Sequence, residues 1–149
     1  MCLFHSFFNV KNGEISYDAV NEMTFLSDVI NETQRMYSVS VTDRVAAEDY
    51  EFNGIRIKKN QCVIILLDNV HHNEQTYNNS TSFKPERQKS NDSFYPFGNG
   101  PRNCIAQRFA LIKMKLLISK ILTKYRFVKC ERTLVRIFTV FFLFLLFLL

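Results

Sequence analysis

Phe97-Gly98-Asn99-Gly100-Pro101-Arg102-Asn103-Cys104-Ile105-Ala106 is the stretch on which the reading of this chain turns. Gly98, Asn99, Gly100 and Pro101 predict a tight turn, because glycine takes positive φ without steric cost and proline fixes its own φ. The turn delivers one cysteine to the start of an apolar, helix-patterned run from Cys104 to Tyr125. The first amides of a helix are unpaired and carry partial positive charge, which suits a thiolate, and a thiolate ligates soft metal centres. The competing reading of the same residues is a surface loop with a buried structural cysteine.

Composition sets the outer bounds. With 149 residues, 47% of them hydrophobic, and 15 Phe, the chain has the means to bury a core and lacks the signature of disorder. Its net charge of +5 suits contact with an anionic membrane or an acidic partner protein. No Arg/Lys stripe interleaved with stacking aromatics occurs, so nucleic acid is not an expected partner. Cys2, Cys62, Cys104 and Cys130 are widely spaced, without a Cys-x-x-Cys pair. That argues against a zinc site or a disulfide framework and fits a reducing compartment. Met1 to Val10 is apolar but lacks the basic start and small-residue cleavage site of a signal peptide.

Upstream of the turn, Ser16 to Met23 reads as a short helix with Ser16 as N-cap. Thr24 to Tyr37 repeats apolar residues at helical spacing, with Leu26, Ile30, Thr33 and Tyr37 on one side and Phe25, Val29 and Met36 beside them. Glu32 and Arg35 share a face there, and the ordinary reading is a solvated pair worth about 0.2–0.5 kcal/mol. Val39 to Leu67 reads as short strands, with Tyr50-Glu51-Phe52 and Ile55-Arg56-Ile57 forming a hairpin about Asn53-Gly54. Lys58-Lys59-Asn60 predicts a second turn, and the apolar run Cys62 to Leu67 predicts a buried strand.

His71 and His72 would point to opposite faces of an extended segment, with no third ligand at metal spacing, so a solvent-facing polar turn is expected. Lys89 to Ser93 reads as a polar loop. In the helix expected from Cys104 to Tyr125, Phe109, Ile112, Leu116 and Leu117 face inward, and Lys113, Lys115, Lys120 and Lys124 mostly outward. Ile137 to Leu149 is almost wholly apolar yet too short to cross a bilayer unaided, and reads as an atypical terminus. Contact with a membrane and pairing as an aggregation-prone strand are its alternatives.

The cysteine stretch resembles the ligand loop of the cytochrome P450 family, Phe-x-x-Gly-x-Arg-x-Cys-x-Gly. Phe97, Gly100, Arg102 and Cys104 match it, and Ala106 stands where the family usually has glycine. Glu32-Thr33-Gln34-Arg35 resembles the family's Glu-x-x-Arg element. Phe83-Lys84-Pro85-Glu86-Arg87 is similar to Pro-Glu-Arg-Phe, with Gln88 replacing the aromatic. Thr42-Asp43-Arg44-Val45 looks like the segment where the family places a propionate-binding arginine, although Arg35 to Arg44 is one residue short. His71 precedes Asn73-Glu74, where the family often has His-x-Asp/Asn-Pro.

The resemblance implies the C-terminal, haem-ligand part of the cytochrome P450 fold, mainly α with a small β-sheet, closest to the eukaryotic microsomal branch. It covers residues 10–130, leaving 131–149 as an atypical hydrophobic tail. It implies a haem-thiolate monooxygenase, with Cys104 as axial ligand and metal-binding residue. Arg102 and Arg44 would be propionate partners, Phe97 would shield the sulfur, and Gly98 and Gly100 would allow close approach to the porphyrin. Glu32, Arg35 and Arg87 would form a structural network. The implied partners are a flavoprotein reductase, or a similar electron donor, and an apolar small-molecule substrate. The implied location is the cytoplasmic face of the endoplasmic reticulum membrane. The distal acid–alcohol pair and most pocket walls have no counterpart in this sequence, so a partial chain inactive alone is expected. The alternative is a non-enzymatic truncated remnant, or a fragment that associates with haem or membrane. Gln34, Ser38, Gln88 and Ala106, where the family usually has Leu, Pro, an aromatic and Gly, favour that alternative.

Overall fold

The computed structural model describes residues 10–11, 14–38, 41–87 and 93–128. The tail from 131 onward, Cys2, Cys130 and most of the loop expected at Lys89 to Ser93 lie outside them. Along the chain come β1 (Val10–Lys11), β2 (Glu14–Ile15), α1 (Tyr17–Asn21), α2 (Thr24–Met36), β3 (Val41–Val45), β4 (Tyr50–Phe52), β5 (Ile55–Ile57), β6 (Cys62–Leu66), α3 (Leu67–His71), a 3-10 turn (Gly100–Arg102) and α4 (Gln107–Lys124). Two compact units result: Met1–Ser27 with Cys104–Leu149, and Asp28–Asn103.

In the first unit β1 and β2 pair antiparallel ahead of α1. Ser16 caps α1 as expected, its hydroxyl accepting the Ala19 N–H at 3.2 Å. α1 buries Ala19 and Val20, and Met23 is buried just beyond it. α4 packs on this corner through Lys115 and Ser119, one helical turn apart. The Lys115 ammonium donates to the Val20 carbonyl at 3.3 Å, and the Ser119 hydroxyl donates to Met23 Sδ at 3.2 Å. Burial pulls the Lys115 pKa below its ordinary value.

The expected inward face of α4 is corrected in part. Met114 and Ser119 are buried, whereas Phe109 is 66% exposed, with the Lys113 ammonium 5.4 Å from its ring centroid. At 100° per residue Phe109 lies roughly 120° round the helix from Lys115, off the face that meets α1. The helix also starts at Gln107 rather than Cys104, because Ile105 and Ala106 form a turn closed by the Gln107 N–H on the Cys104 carbonyl at 3.3 Å.

The second unit contains two antiparallel ribbons. β4 and β5 form the expected hairpin, with Asn53 and Gly54 both at positive φ (50° and 79°), the conformation of a primed two-residue turn. β3 pairs with β6 from Val41↔Leu66 to Val45↔Cys62. Ala46, Asn60 and Gln61 extend that pairing before the chain turns away at Asn60, φ 67°. Among the described residues the strands form three two-stranded ribbons, β1–β2 included, consistent with the expected mainly α fold with a small amount of β-sheet.

β6 departs from the buried strand expected of Cys62 to Leu67. Ile64 is 64% exposed, Ile65 and Leu66 are exposed as well, and Leu67 already belongs to α3. An apolar run reports a capacity for burial, and a two-stranded ribbon without a second layer does not use it. α2 inverts expectation in the other direction. Ile30 is buried, but so are Glu32, Gln34 and Arg35, while Phe25 on the apolar side is exposed. No described helix is long and apolar enough to cross a membrane.

Candidate functional site

Helical spacing on α2 sets Glu32 and Arg35 side by side, and the pair is buried rather than solvated, at 5% and 1% exposure. Arg35 Nε donates to Glu32 Oε2 and Nη2 to Oε1, both at 2.9 Å, a planar fork on a planar carboxylate. Its remaining donors tie down distant backbone. Nη1 donates to the His71 carbonyl at 2.8 Å and Nη2 to the Ser80 carbonyl at 2.7 Å. The guanidinium carbon also lies 5.2 Å from the Tyr77 ring centroid, a cation–π contact between two buried side chains.

Arg87 joins the same carboxylate at the oxygen that Arg35 Nη2 also uses. Its Nε donates to Glu32 Oε1 at 3.3 Å, and the Lys84 N–H donates to that oxygen at 3.1 Å. The rest of the Arg87 fork reaches the carbonyls of Asn78, Asn79 and Ser82. Asn79, at φ 52°, turns the backbone so that Ser80 can donate both N–H and hydroxyl to Glu74 Oε1. The Ser80 hydroxyl and then its amide hold the Glu74 carboxyl below its usual pKa.

For Glu32 burial works the other way, pushing the pKa up. The Arg35 hydrogen bonds, the Lys84 amide and the charges of Arg35 and Arg87 outweigh it, so the carboxyl is held ionised below its ordinary range. Tyr77, whose hydroxyl donates to the Ser93 carbonyl at 3.1 Å, has its pKa raised by burial.

His71 corrects the solvent-facing turn expected there. It ends helix α3 and is fully buried, with its ring 5.7 Å from Phe94 and its Nε2 accepting the Tyr95 N–H at 3.0 Å. His72 is partly exposed, its Nδ1 3.3 Å from Asp68 Oδ1. His71, Tyr77, Ser80 and Tyr95 belong to this constellation, yet sequence reasoning missed their roles. Tyr77, Ser80 and Tyr95 sit in irregular backbone and His71 at the end of a five-residue helix, too short for periodicity to mark a buried side.

The cysteine turn is built as its glycines dictate. Gly98 and Gly100 take φ +78° and +77°. A Cβ on Gly98 would meet the Asn103 Cα at 3.8 Å, and one on Gly100 would meet nothing within 4 Å. Backbone conformation rather than crowding by these neighbours therefore asks for glycine at both. Asn99 Oδ1 accepts the Gly100 N–H at 2.8 Å, and the Asn103 N–H returns to the Gly100 carbonyl at 3.1 Å, completing the 3-10 turn. Phe97 is half-buried and Arg102 is exposed at the turn's end. Cys104 follows as a free, exposed thiol, which removes the alternative of a buried structural cysteine. Ala106 lies at the N-cap of α4 with φ −89°, a backbone any residue adopts. Arg44, on β3, is exposed and donates to Thr42 Oγ1 and the Asp43 carbonyl.

Against known proteins, the family model described as Cytochrome P450 matches residues 7–146. The chain belongs to the cytochrome P450 family. Among curated relatives, Cytochrome P450 3A11 of Mus musculus is 41% identical over 126 residues, covering 79% of this chain and 25% of the relative. Cytochrome P450 3A18 of Rattus norvegicus is 41% identical over 127 residues, 80% of this chain and 26% of the relative. Cytochrome P450 3A5 of Homo sapiens is 40% identical over 125 residues, 79% and 25% respectively. The chain thus spans about a quarter of the length of these relatives.

As a cytochrome P450 chain it carries two departures with a visible physical cost. Gln34 and Ser38, at positions where the family usually has Leu and Pro, are both buried. Their Oε1 and Oγ find no hydrogen-bond partner among the described residues. The donor set at the turn fits a thiolate-ligated haem. Cys104 is an accessible soft sulfur, and the exposed Arg102 two residues before it offers a fork for an acidic group.

Proposed function

We propose that the chain is the C-terminal, ligand-side part of a haem-thiolate monooxygenase, with residues 10–130 as its haem-binding part and the tail 131–149 apart from it. The observation that carries the proposal is the exposed Cys104 thiol at the end of a turn set by two left-handed glycines. In this reading Cys104 would hold the iron through its sulfur, and Arg102 and Arg44 would bind the propionates through their guanidinium forks. Phe97 would keep water from the sulfur, and Gly98 and Gly100 would allow the backbone to approach a bound porphyrin closely. When bound, the haem supplies oxygen activation for insertion of one oxygen atom into an apolar substrate, with electrons from a flavoprotein reductase or similar donor. The Glu32–Arg35–Arg87 network has a structural role, fixing the segment from His71 to Arg87. These 149 residues alone bind haem without turning over substrate, consistent with their covering about a quarter of the relatives. The full protein works at the cytoplasmic face of the endoplasmic reticulum membrane.

The test is to load the purified full chain with haem and record the spectrum of the reduced, CO-bound form. A red-shifted thiolate-type Soret band that Cys104→Ala abolishes is the expected result. An imidazole-type or free-haem spectrum overturns the reading in favour of a non-enzymatic remnant.

A further inference from the structure

The structure assigns His71 a role beyond the knot: it is a positioning residue whose bare Nε2 latches the Phe94–Tyr95 segment, the approach to the cysteine turn, onto Arg35. Two contacts make the link. The His71 carbonyl accepts from Arg35 Nη1 at 2.8 Å, and its ring Nε2 accepts the Tyr95 N–H at 3.0 Å. Both contacts lie within Asp28–Asn103, and Tyr95 carries on the chain, its carbonyl accepting the Gly98 N–H at 3.1 Å. A continuous run of hydrogen bonds therefore leads from the buried guanidinium to the first left-handed glycine of the turn.

The chemistry of the contact fixes the tautomer. An amide N–H only donates, so Nε2 carries no proton, and the proton of the neutral ring sits on Nδ1. Nδ1 is buried and has no hydrogen-bond partner among the described residues. Protonating the ring would turn Nε2 into a donor facing a donor. It would also place a second buried cation near the Arg35 guanidinium, beside a Phe94 ring tilted 42° to it. The groups facing the ring are Arg35 from α2, Asp68 from α3, His72 just past its end, and Tyr95 from the approaching segment. Burial first, then Arg35 and His72, push its pKa from 6.5 down to about 4, with Asp68 opposing.

The latch is therefore closed at neutral pH. Because the folded pKa lies below the unfolded one, the unfolded chain takes the proton first as the pH falls below 6.5. The contribution to stability is full above 6.5 and is lost progressively down to about 4.

The latch stands without haem; its bearing on the sulfur rests on the function proposed above. The test is amide hydrogen exchange by NMR on the full chain, with His71→Phe and His71→Gln. The Tyr95 amide should be protected in the unaltered chain and exchange roughly tenfold faster in His71→Phe. Gln presents an acceptor oxygen near the Nε2 position and should restore much of the protection. Between pH 6.5 and 4 the unaltered chain should lose Tyr95 protection, after correction for intrinsic rates, while His71→Gln should not. Tyr95 protection unchanged in His71→Phe, or ring nitrogen shifts showing a protonated Nε2 at neutral pH, would overturn the latch. If His71→Phe does not fold, the Gln variant and the ring shifts decide. A thiolate Soret band without Tyr95 dependence on His71 defeats the latch alone. Tyr95 protection without that band defeats the haem reading alone.

Discussion

The unit Asp28–Asn103 contains two regions built in opposite senses. Around Arg35 charged side chains are buried and almost every donor has an acceptor; along β3 and β6 aliphatic side chains stand in the open. The polar region draws its partners largely from within itself: among the described residues the donors of Arg35 and Arg87 find theirs between Glu32 and Ser82, although Gln34 Oε1 and Ser38 Oγ are left over. The apolar ribbon specifies no partner, because burial is non-directional and any apolar cover would serve. Self-sufficiency in this chain is thus a property of its polar contacts.

Removing the common acceptor is the most forceful way to break the contrast. Glu32→Ala leaves Arg35 buried without its countercharge and frees Arg87 and the Lys84 amide. A loss of about 3–5 kcal/mol in a denaturant titration is expected, enough to abolish a folded baseline at modest intrinsic stability. If Glu32→Ala costs no more than an ordinary surface change, the knot does not hold this unit together.

Gln34→Leu probes a flaw inside the same region. It deletes a buried oxygen without a partner and keeps similar volume, so a gain of about 1–2 kcal/mol is expected. A rise in thermal midpoint would show it, and a fall would mean that the amide has a polar partner in solution. At the other pole, Ile64→Thr on exposed β6 should move stability by no more than about 0.5 kcal/mol. A larger loss by the same titration would show that the ribbon is covered in solution.

Much of the local architecture was legible because it is written in short-range chemistry. The Ser16 cap, the Asn53-Gly54 hairpin, the helical spacing of α2 and the turn at Gly98 to Cys104 each need a few adjacent residues. Three motifs in family order, at Glu32-x-x-Arg35, Pro85-Glu86-Arg87 and Cys104, led to the family that the comparisons show. What the local pattern left out was set by distant partners. Alternation could not tell that Ile64 is uncovered, nor apolar spacing that Phe109 lies off the face of α4 that meets α1. His71 looked like half of a polar pair because the groups that enclose it, Arg35 and Phe94, lie far off in sequence.

Glu32 reaches Arg87 across 55 residues, and Arg35 reaches Ser80 across 45. Loop-closure entropy makes such contacts slow to form compared with a hairpin whose strands are neighbours. During synthesis α2 emerges with its ion pair already matched but the other donors of Arg35 idle until His71 and Ser80 follow, and the Glu32 carboxylate completes its set only when Arg87 arrives. The order of assembly is written in that span: hairpin and helix early, knot last. A chain halted before residue 87 would thus hold its secondary structure without its fastening, a natural substrate for proteolytic quality control.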